Sequence, residues 1–177
     1  MGGEESCGYE KFGEDPNKHV LAEKLDEALE IVTGLWKGKS VSYHGKYYAV
    51  ENRVFLPKPV QKPRIPIWVG GFWPAKRPFL RAAKWDGMIP LKRPGGLLKP
   101  DDLRGILEYT KSQRTNDGPF DVAVIGWTAS KYQAKNAEKV RSYHDLGMTW
   151  WLESLYTKRD SPEEMHARIR KGPPRIR

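Results

Sequence analysis

From residue 65 onward, short apolar runs alternate with segments of helical period, and this texture limits the fold more than any other feature of the chain. The runs are Ile65–Val69, Met88–Leu91, Phe120–Trp127 and Met148–Leu152, predominantly apolar and without regular polar alternation. Strands of that kind are covered on both faces, and strands separated by helices run parallel. Between them the pattern predicts helices over 75–85, from Pro100-Asp101-Asp102 to about Gln113, and over 131–146. Ser161-Pro162-Glu163-Glu164 places serine and glutamate three apart, a capping box that opens a last helix, and Gly172-Pro173-Pro174 stops it. Two architectures satisfy this pattern. A small doubly wound sheet closes its own core, whereas half of an eight-stranded βα barrel leaves both edge strands unpaired. A whole barrel needs about 250 residues, and the chain has 177.

The upstream part is of another kind. Residues 1–14 are rich in Gly and Glu without a period and read as a flexible arm, which leaves 15–177 as the folded domain. Asp15-Pro16 offers an N-cap before a proline at the first helical position. Leu21, Leu25, Ala28, Leu29, Val32, Leu35 and Trp36 then recur at helical spacing, opposite Glu23, Glu27 and Glu30, with Gly38 as terminator. Val41–Tyr43 and Lys46–Val50 flank His44-Gly45 and predict a small β-hairpin. Pro57, Pro59, Pro63 and Pro66 hold the following stretch extended.

Composition removes several classes. The single cysteine, Cys7, excludes an internal disulfide framework and fits a reducing cytoplasm. No apolar run approaches the ~18 residues of a membrane helix, and no signal-peptide pattern opens the chain, so no membrane partner is expected. The formal charge of +9 is uneven, since residues 61–120 carry 12 basic and 5 acidic groups. Such a bias attracts anions. The basic residues are nevertheless dispersed, with no block of five or six, and a nucleic-acid partner is not expected. His19, His44, His144 and His166 lack metal-ligand spacing, and no nucleophile elbow, phosphate-binding P-loop or dinucleotide glycine motif is present. No residue is nominated as catalytic acid or base, Asp86 before Gly87 reading as a turn former.

The binding candidates lie where parallel strands end, the side on which α/β folds hold ligands. Gly70-Gly71-Phe72 follows the first run and precedes a helix, so backbone N–H groups there could approach an anion. Leu91, Lys92 and Arg93 close the second run and bring two cations to the same end. Trp127 ends the third run and Glu153 follows the fourth, positions suited to walling a substrate pocket. Each has a plainer alternative, as tight turn, solvated loop or core residue.

Ile65-Pro-Ile-Trp-Val-Gly-Gly71 followed by Arg81-Ala-Ala-Lys-Trp-Asp-Gly87 resembles the luciferase-like flavin-dependent monooxygenases, a superfamily that includes deazaflavin-dependent oxidoreductases. Phe12-Gly13, Glu23–Leu29, Leu35-Trp36, Gly45-Lys-Tyr-Tyr48, Pro57–Gln61 and, further on, Gly147-Met-Thr-Trp-Trp151 follow in the family's order. The resemblance implies an α/β fold, the C-terminal half of a (β/α)8 TIM-type barrel with about four parallel strands, covering helices and a small hairpin insertion. It implies a cytoplasmic oxidoreductase using FMN or a deazaflavin (coenzyme F-420), with a phosphorylated flavin contacted at the Gly70-Gly71 turn. The family's first four strands, which carry much of the ring contact and most acid–base residues, have no counterpart here. A separate N-terminal half-barrel polypeptide or self-association is therefore the expected partner. The alternative is a non-catalytic flavin-binding or structural half-barrel.

Overall fold

The computed structural model describes residues 8–93, 95–128, 133–155 and 161–174. The start of the predicted arm and of the helix expected from residue 131 lie outside them. The chain divides into two compact units, Met1–Ile65 and Pro66–Arg177.

The first unit holds a 3-10 turn at Tyr9–Phe12, helix α1 (Lys18–Leu35) and an antiparallel pair, β1 (Val41–His44) and β2 (Ala49–Arg53). The helix starts two residues later than its sequence suggested. Asn17 is the cap and accepts from the His19 N–H at 2.9 Å, while Asp15 accepts from the Asn17 N–H at 2.8 Å. The hairpin is likewise offset, because residues 45–48 form the turn instead of belonging to the second strand. A carboxylate fixes that turn: Glu27 accepts from the backbone N–H groups of Lys46, Tyr47 and Tyr48. Glu23 takes the Lys46 ammonium at 2.8 Å and the Tyr47 hydroxyl at 2.6 Å. The glutamate side of the amphipathic helix thus holds the hairpin, and no residue of α1 is fully buried.

The second unit is a parallel sheet in the order β3 (Trp68–Trp73), β4 (Gly87–Lys92), β5 (Asp121–Gly126), β6 (Trp150–Glu153). Helices α2 (Arg77–Ala82), α3 (Pro100–Gln113), α4 (Gln133–His144) and α5 (Pro162–Lys171) alternate with the strands. Strand order follows chain order, and Phe79 of α2, Leu103 of α3 and Val140 of α4 join one core cluster with Val69, Met88, Val122 and Val124. Helices on one face of a sequentially ordered sheet exclude double winding, which puts helices on both faces of a sheet whose order reverses. The arrangement is a half-barrel. Each large apolar side chain fully buried in its core contributes about 1.5–3 kcal/mol. The buried Tyr143 hydroxyl is satisfied locally, donating to the Leu98 carbonyl at 2.6 Å.

The first strand of this unit is displaced from its predicted place. It begins at Trp68 and runs through Gly70-Gly71-Phe72, which pair in parallel with Ile89, Pro90 and Leu91. Pro66 has no N–H for a ladder, whereas a Gly-Gly pair keeps every donor and acceptor. The glycines are strand, not turn.

Among the described residues of this unit, no helix lies on the sheet's other face. Trp68, Phe72, Ile89, Leu91, Ile125 and Leu152 are half-buried there, and Trp150 is 52% exposed. Rings from the two edge strands meet across this face, Trp68 and Trp150 lying 5.7 Å apart. Strands spaced by about 4.8 Å would separate those edges by roughly 14 Å if flat, so the sheet curls and the indoles lean inward. Gly87 makes room. A Cβ there would lie 2.6 Å from the Asp121 carbonyl and 2.7 Å from Trp68 Cδ1. Gly87→Ala is expected to cost about 1–3 kcal/mol in urea denaturation, with the Trp fluorescence of the native state shifted.

Candidate functional site

The pleat sorts the predicted cofactor residues onto opposite faces. Successive strand residues alternate in direction, and cross-strand partners share a face, as Phe72 and Leu91 do. Gly70, Phe72 and Leu91 therefore line the concave face near the C-terminal ends of β3 and β4. Gly71 and Lys92 face the helices instead: a Cβ on Gly71 would meet Pro78 Cβ at 2.5 Å, and Lys92 Nζ bonds Asp102 of α3 at 2.6 Å.

The two glycines consequently differ in kind. Gly71 is needed for α2 to approach the sheet. Gly70 is exposed, and a Cβ on it would have nothing within 4 Å. Among the described residues, no packing calls for glycine at 70. Its bare backbone is open to the concave side, with the Phe72 ring and Leu91 beside it, and the Arg93 guanidinium stands 4.7 Å from the Phe72 ring centroid. Open backbone, an apolar wall and one exposed cation fit a planar ring carrying an anionic tail.

Lys92 serves another purpose. Asp102 also accepts from the Lys99 N–H at 2.9 Å, so one carboxylate ties the end of β4 to the first turn of α3. Burial alone would raise the Asp102 carboxyl, but the Lys92 and Lys99 hydrogen bonds hold it below its ordinary value. The Lys92 charge is engaged within the fold.

Glu153 and Trp127 separate in the same way. Glu153, on the helix side of β6, accepts from the Thr128 N–H at 2.8 Å, the Thr128 hydroxyl at 3.0 Å and Trp151 Nε1 at 2.8 Å. Arg168 of α5 completes the set, its Nη2 lying 3.0 Å from Glu153 and also bonding the Thr128 hydroxyl. Burial pushes the Glu153 carboxyl upward, but these hydrogen bonds and the Arg168 charge outweigh it and hold the group below its ordinary value. The network lines a cleft of about 570 Å³, walled also by Asn136, Leu155 and Ile169. Trp127 is 40% exposed and is not among the residues lining that cleft; its carbonyl accepts from Lys139 Nζ at 2.8 Å.

Asp86 keeps the structural role its sequence context suggested, taking the Ile67 N–H at 2.7 Å. Among the described residues no group of three or more His, Cys, Asp or Glu could hold a metal ion, and no helix is long and apolar enough to cross a membrane. Arg168 and Thr128 were not legible as site residues. One lies in a helix of alternating charge and the other in a loop, and only the fold joins them to Glu153.

The chain belongs to the luciferase-like monooxygenase family, whose profile matches residues 3–151. An uncharacterized protein of Mycobacterium tuberculosis (strain ATCC 25618 / H37Rv) is 31% identical over 153 residues, covering 83% of this chain and 48% of that protein. An F420-dependent glucose-6-phosphate dehydrogenase of Microbacterium testaceum is 40% identical over 53 residues, 30% of this chain and 15% of that enzyme. A protein of the same name from Nakamurella multipartita is 22% identical over 187 aligned positions, 75% of this chain and 54% of that enzyme. The chain thus spans about half the length of the mycobacterial relative.

The Glu153 network makes a pH prediction. A carboxyl held below its ordinary value of 4.5 stabilises the fold above that value and loses its contribution as pH falls through the folded value. Glu153→Gln should cost about 1–3 kcal/mol at neutral pH, because Arg168 loses its charged partner. It should also flatten the dependence of melting temperature on pH below 4.5 relative to wild type, read by calorimetry.

Proposed function

We propose that this chain forms the cofactor-facing C-terminal half of an oxidoreductase that uses a deazaflavin, coenzyme F-420, with FMN as the other member of the same class. The observation that carries the reading is the open backbone of Gly70 beside Phe72 and Leu91, with the Arg93 cation at the same end of the sheet. The names of the Microbacterium and Nakamurella relatives favour the deazaflavin over FMN. When bound, such a ring supplies hydride transfer, and the protein supplies binding, orientation and water exclusion. Gly70 would let the ring or its tail approach the main chain, Phe72 and Leu91 would wall it, and Arg93 would take the anionic end. The reducing compartment suggested by the lone Cys7 makes the cytoplasm the proposed place of action.

The concave residues near the strand ends are Gly70, Phe72, Leu91, Ile125 and Leu152, and none of them carries a proton at neutral pH that it could exchange. Acid–base groups for turnover would therefore come from outside this set, on a complementary half. The same observation supports a second reading, in which the chain alone binds the cofactor without catalysing a reaction.

Fluorescence titration of the purified chain with coenzyme F-420 and with FMN tests the proposal. Saturable binding is expected, tighter for F-420. Gly70→Ala should weaken it by about tenfold, about 1.4 kcal/mol, with an unchanged melting temperature because the added Cβ has no described atom within 4 Å. Arg93→Ala should weaken binding by about tenfold through loss of a charge-assisted contact. Negligible binding of both compounds would overturn the reading for this chain. Turnover by the chain with an added substrate would eliminate the non-catalytic version.

A further inference from the structure

We infer that Asp102 is a positioning residue for the anion-binding end of the proposed cofactor site, acting through Lys92 to hold Arg93 in place. The inference deepens the cofactor reading and rests on it.

The end of β4 has little to hold it within the sheet. Among the described residues β5 pairs with β4 only at Gly87 and Met88, so Ile89, Pro90, Leu91 and Lys92 are laddered on one side alone, to β3. Arg93 follows directly. Its N–H donates to the Trp73 carbonyl at 3.2 Å, which carries the ladder one residue past the strand. Its exposed guanidinium stands 4.7 Å from the Phe72 ring centroid. A cation–ring contact at an exposed site is weak, and a long side chain has many rotamers. Where the guanidinium sits therefore depends on where the main chain of Arg93 is held.

Helix α3 supplies that hold. Its first turn contributes Asp102, which takes the Lys92 ammonium at 2.6 Å and the Lys99 N–H at 2.9 Å. The ion pair is largely shielded, with side-chain exposures of 29% for Lys92 and 18% for Asp102, so solvent weakens it less than a surface pair. The next turn places Gly105 against the Trp73 ring, where an added Cβ would lie 3.5 Å from Cζ2. One helix thus grips both neighbours of the Arg93 main chain: Lys92 before it, and Trp73, whose carbonyl holds its N–H. With Lys92 drawn toward the helices, the next residue is directed to the concave side, where Phe72 lies. A shielded ion pair adds little net stability over apolar residues of the same volume, and what this one supplies is geometry. A binding group displaced by about 1 Å from its productive place loses much of its effect.

Fluorescence titration of the purified chain tests the inference, using whichever of F-420 and FMN binds wild type more tightly. Each is compared with its tailless counterpart, the deazaflavin chromophore or riboflavin, which offers the ring without the anion. Asp102→Asn keeps an oxygen for the Lys99 N–H and removes the charge that holds Lys92. It should weaken the anionic ligand by about three- to tenfold, at most the loss given by Arg93→Ala, and leave the tailless ligand unchanged. In an Arg93→Ala background the same substitution should have no further effect, since non-additivity marks residues that act as one unit. Lys92→Met, which keeps the apolar stem, should repeat this pattern and takes the place of Asp102→Asn should that variant fail to fold by circular dichroism. Wild-type affinity in these variants, equal losses for both ligands, or an undiminished loss in the Arg93→Ala background would overturn the inference and leave the cofactor reading standing. Negligible binding of every ligand by the wild-type chain would instead overturn the cofactor reading, and this inference with it.

Discussion

Side chains on four parallel strands fall into two populations because the pleat directs neighbouring residues to opposite faces. On β3 this puts Val69, Gly71 and Trp73 toward the helices and Trp68, Gly70 and Phe72 toward the concave side. The same division runs through β4, where Met88 enters the core and Leu91 pairs with Phe72. Once one face is committed to helices, nothing on it can also meet a ligand inside the concavity. That is why Lys92 and Arg93, adjacent in sequence, meet different partners. Lys92 bonds Asp102 under α3, and Arg93, one residue beyond the strand, turns over the Phe72 ring.

The strand glycines obey the same division. Gly71 admits Pro78 of α2, Gly87 admits the Trp68 indole, and Gly126 admits the Trp151 ring, whose nearest atom would lie 2.3 Å from an added Cβ. Each of these absences of a side chain is filled by another residue of the chain. Gly70 is the exception, and the vacancy beside it faces outward from the fold. Curvature connects these positions to the wider shape. The indoles of Trp68 and Trp150 can approach each other because Gly87, between their strands, offers no side chain to obstruct them. Packing on one side of the sheet and concavity on the other are thus produced by small residues at alternate positions.

Continuous apolar runs made the parallel sheet and its helices legible, and the proline and acidic pair at the start of α3, like the capping box of α5, marked their helices closely. Two features were misplaced for a common reason: local residue preference was given more weight than the partners the fold supplies. Gly70-Gly71 reads as a breaker, yet β4 offers a partner for each glycine, and the ladder continues to Trp73. Tyr47 and Tyr48 read as strand formers, yet Glu27 collects their N–H groups and holds them in a turn. The grouping of Gly70, Phe72 and Leu91 follows from alternation once the register is known, and no sequence pattern supplies that register. Arg168 could not be foreseen beside Glu153 either, because 15 positions separate them and only tertiary packing sets their 3.0 Å contact.

The basic excess of residues 61–120 invites a reading as a footprint for anions, and the structure engages several of these cations within the fold. Arg114 donates to the carbonyls of Trp85 and Gly118 and stacks 4.3 Å from the Phe120 ring centroid. Lys76 lies over Tyr109, Lys92 is paired with Asp102, and Arg81 is 9% exposed within α2. Cations placed on carbonyls, carboxylates and ring faces are spent on holding loops and helices to the sheet. What distinguishes Arg93 is its position: an exposed guanidinium held over an aromatic ring where the strands end, next to the one strand glycine whose missing side chain the fold itself does not require.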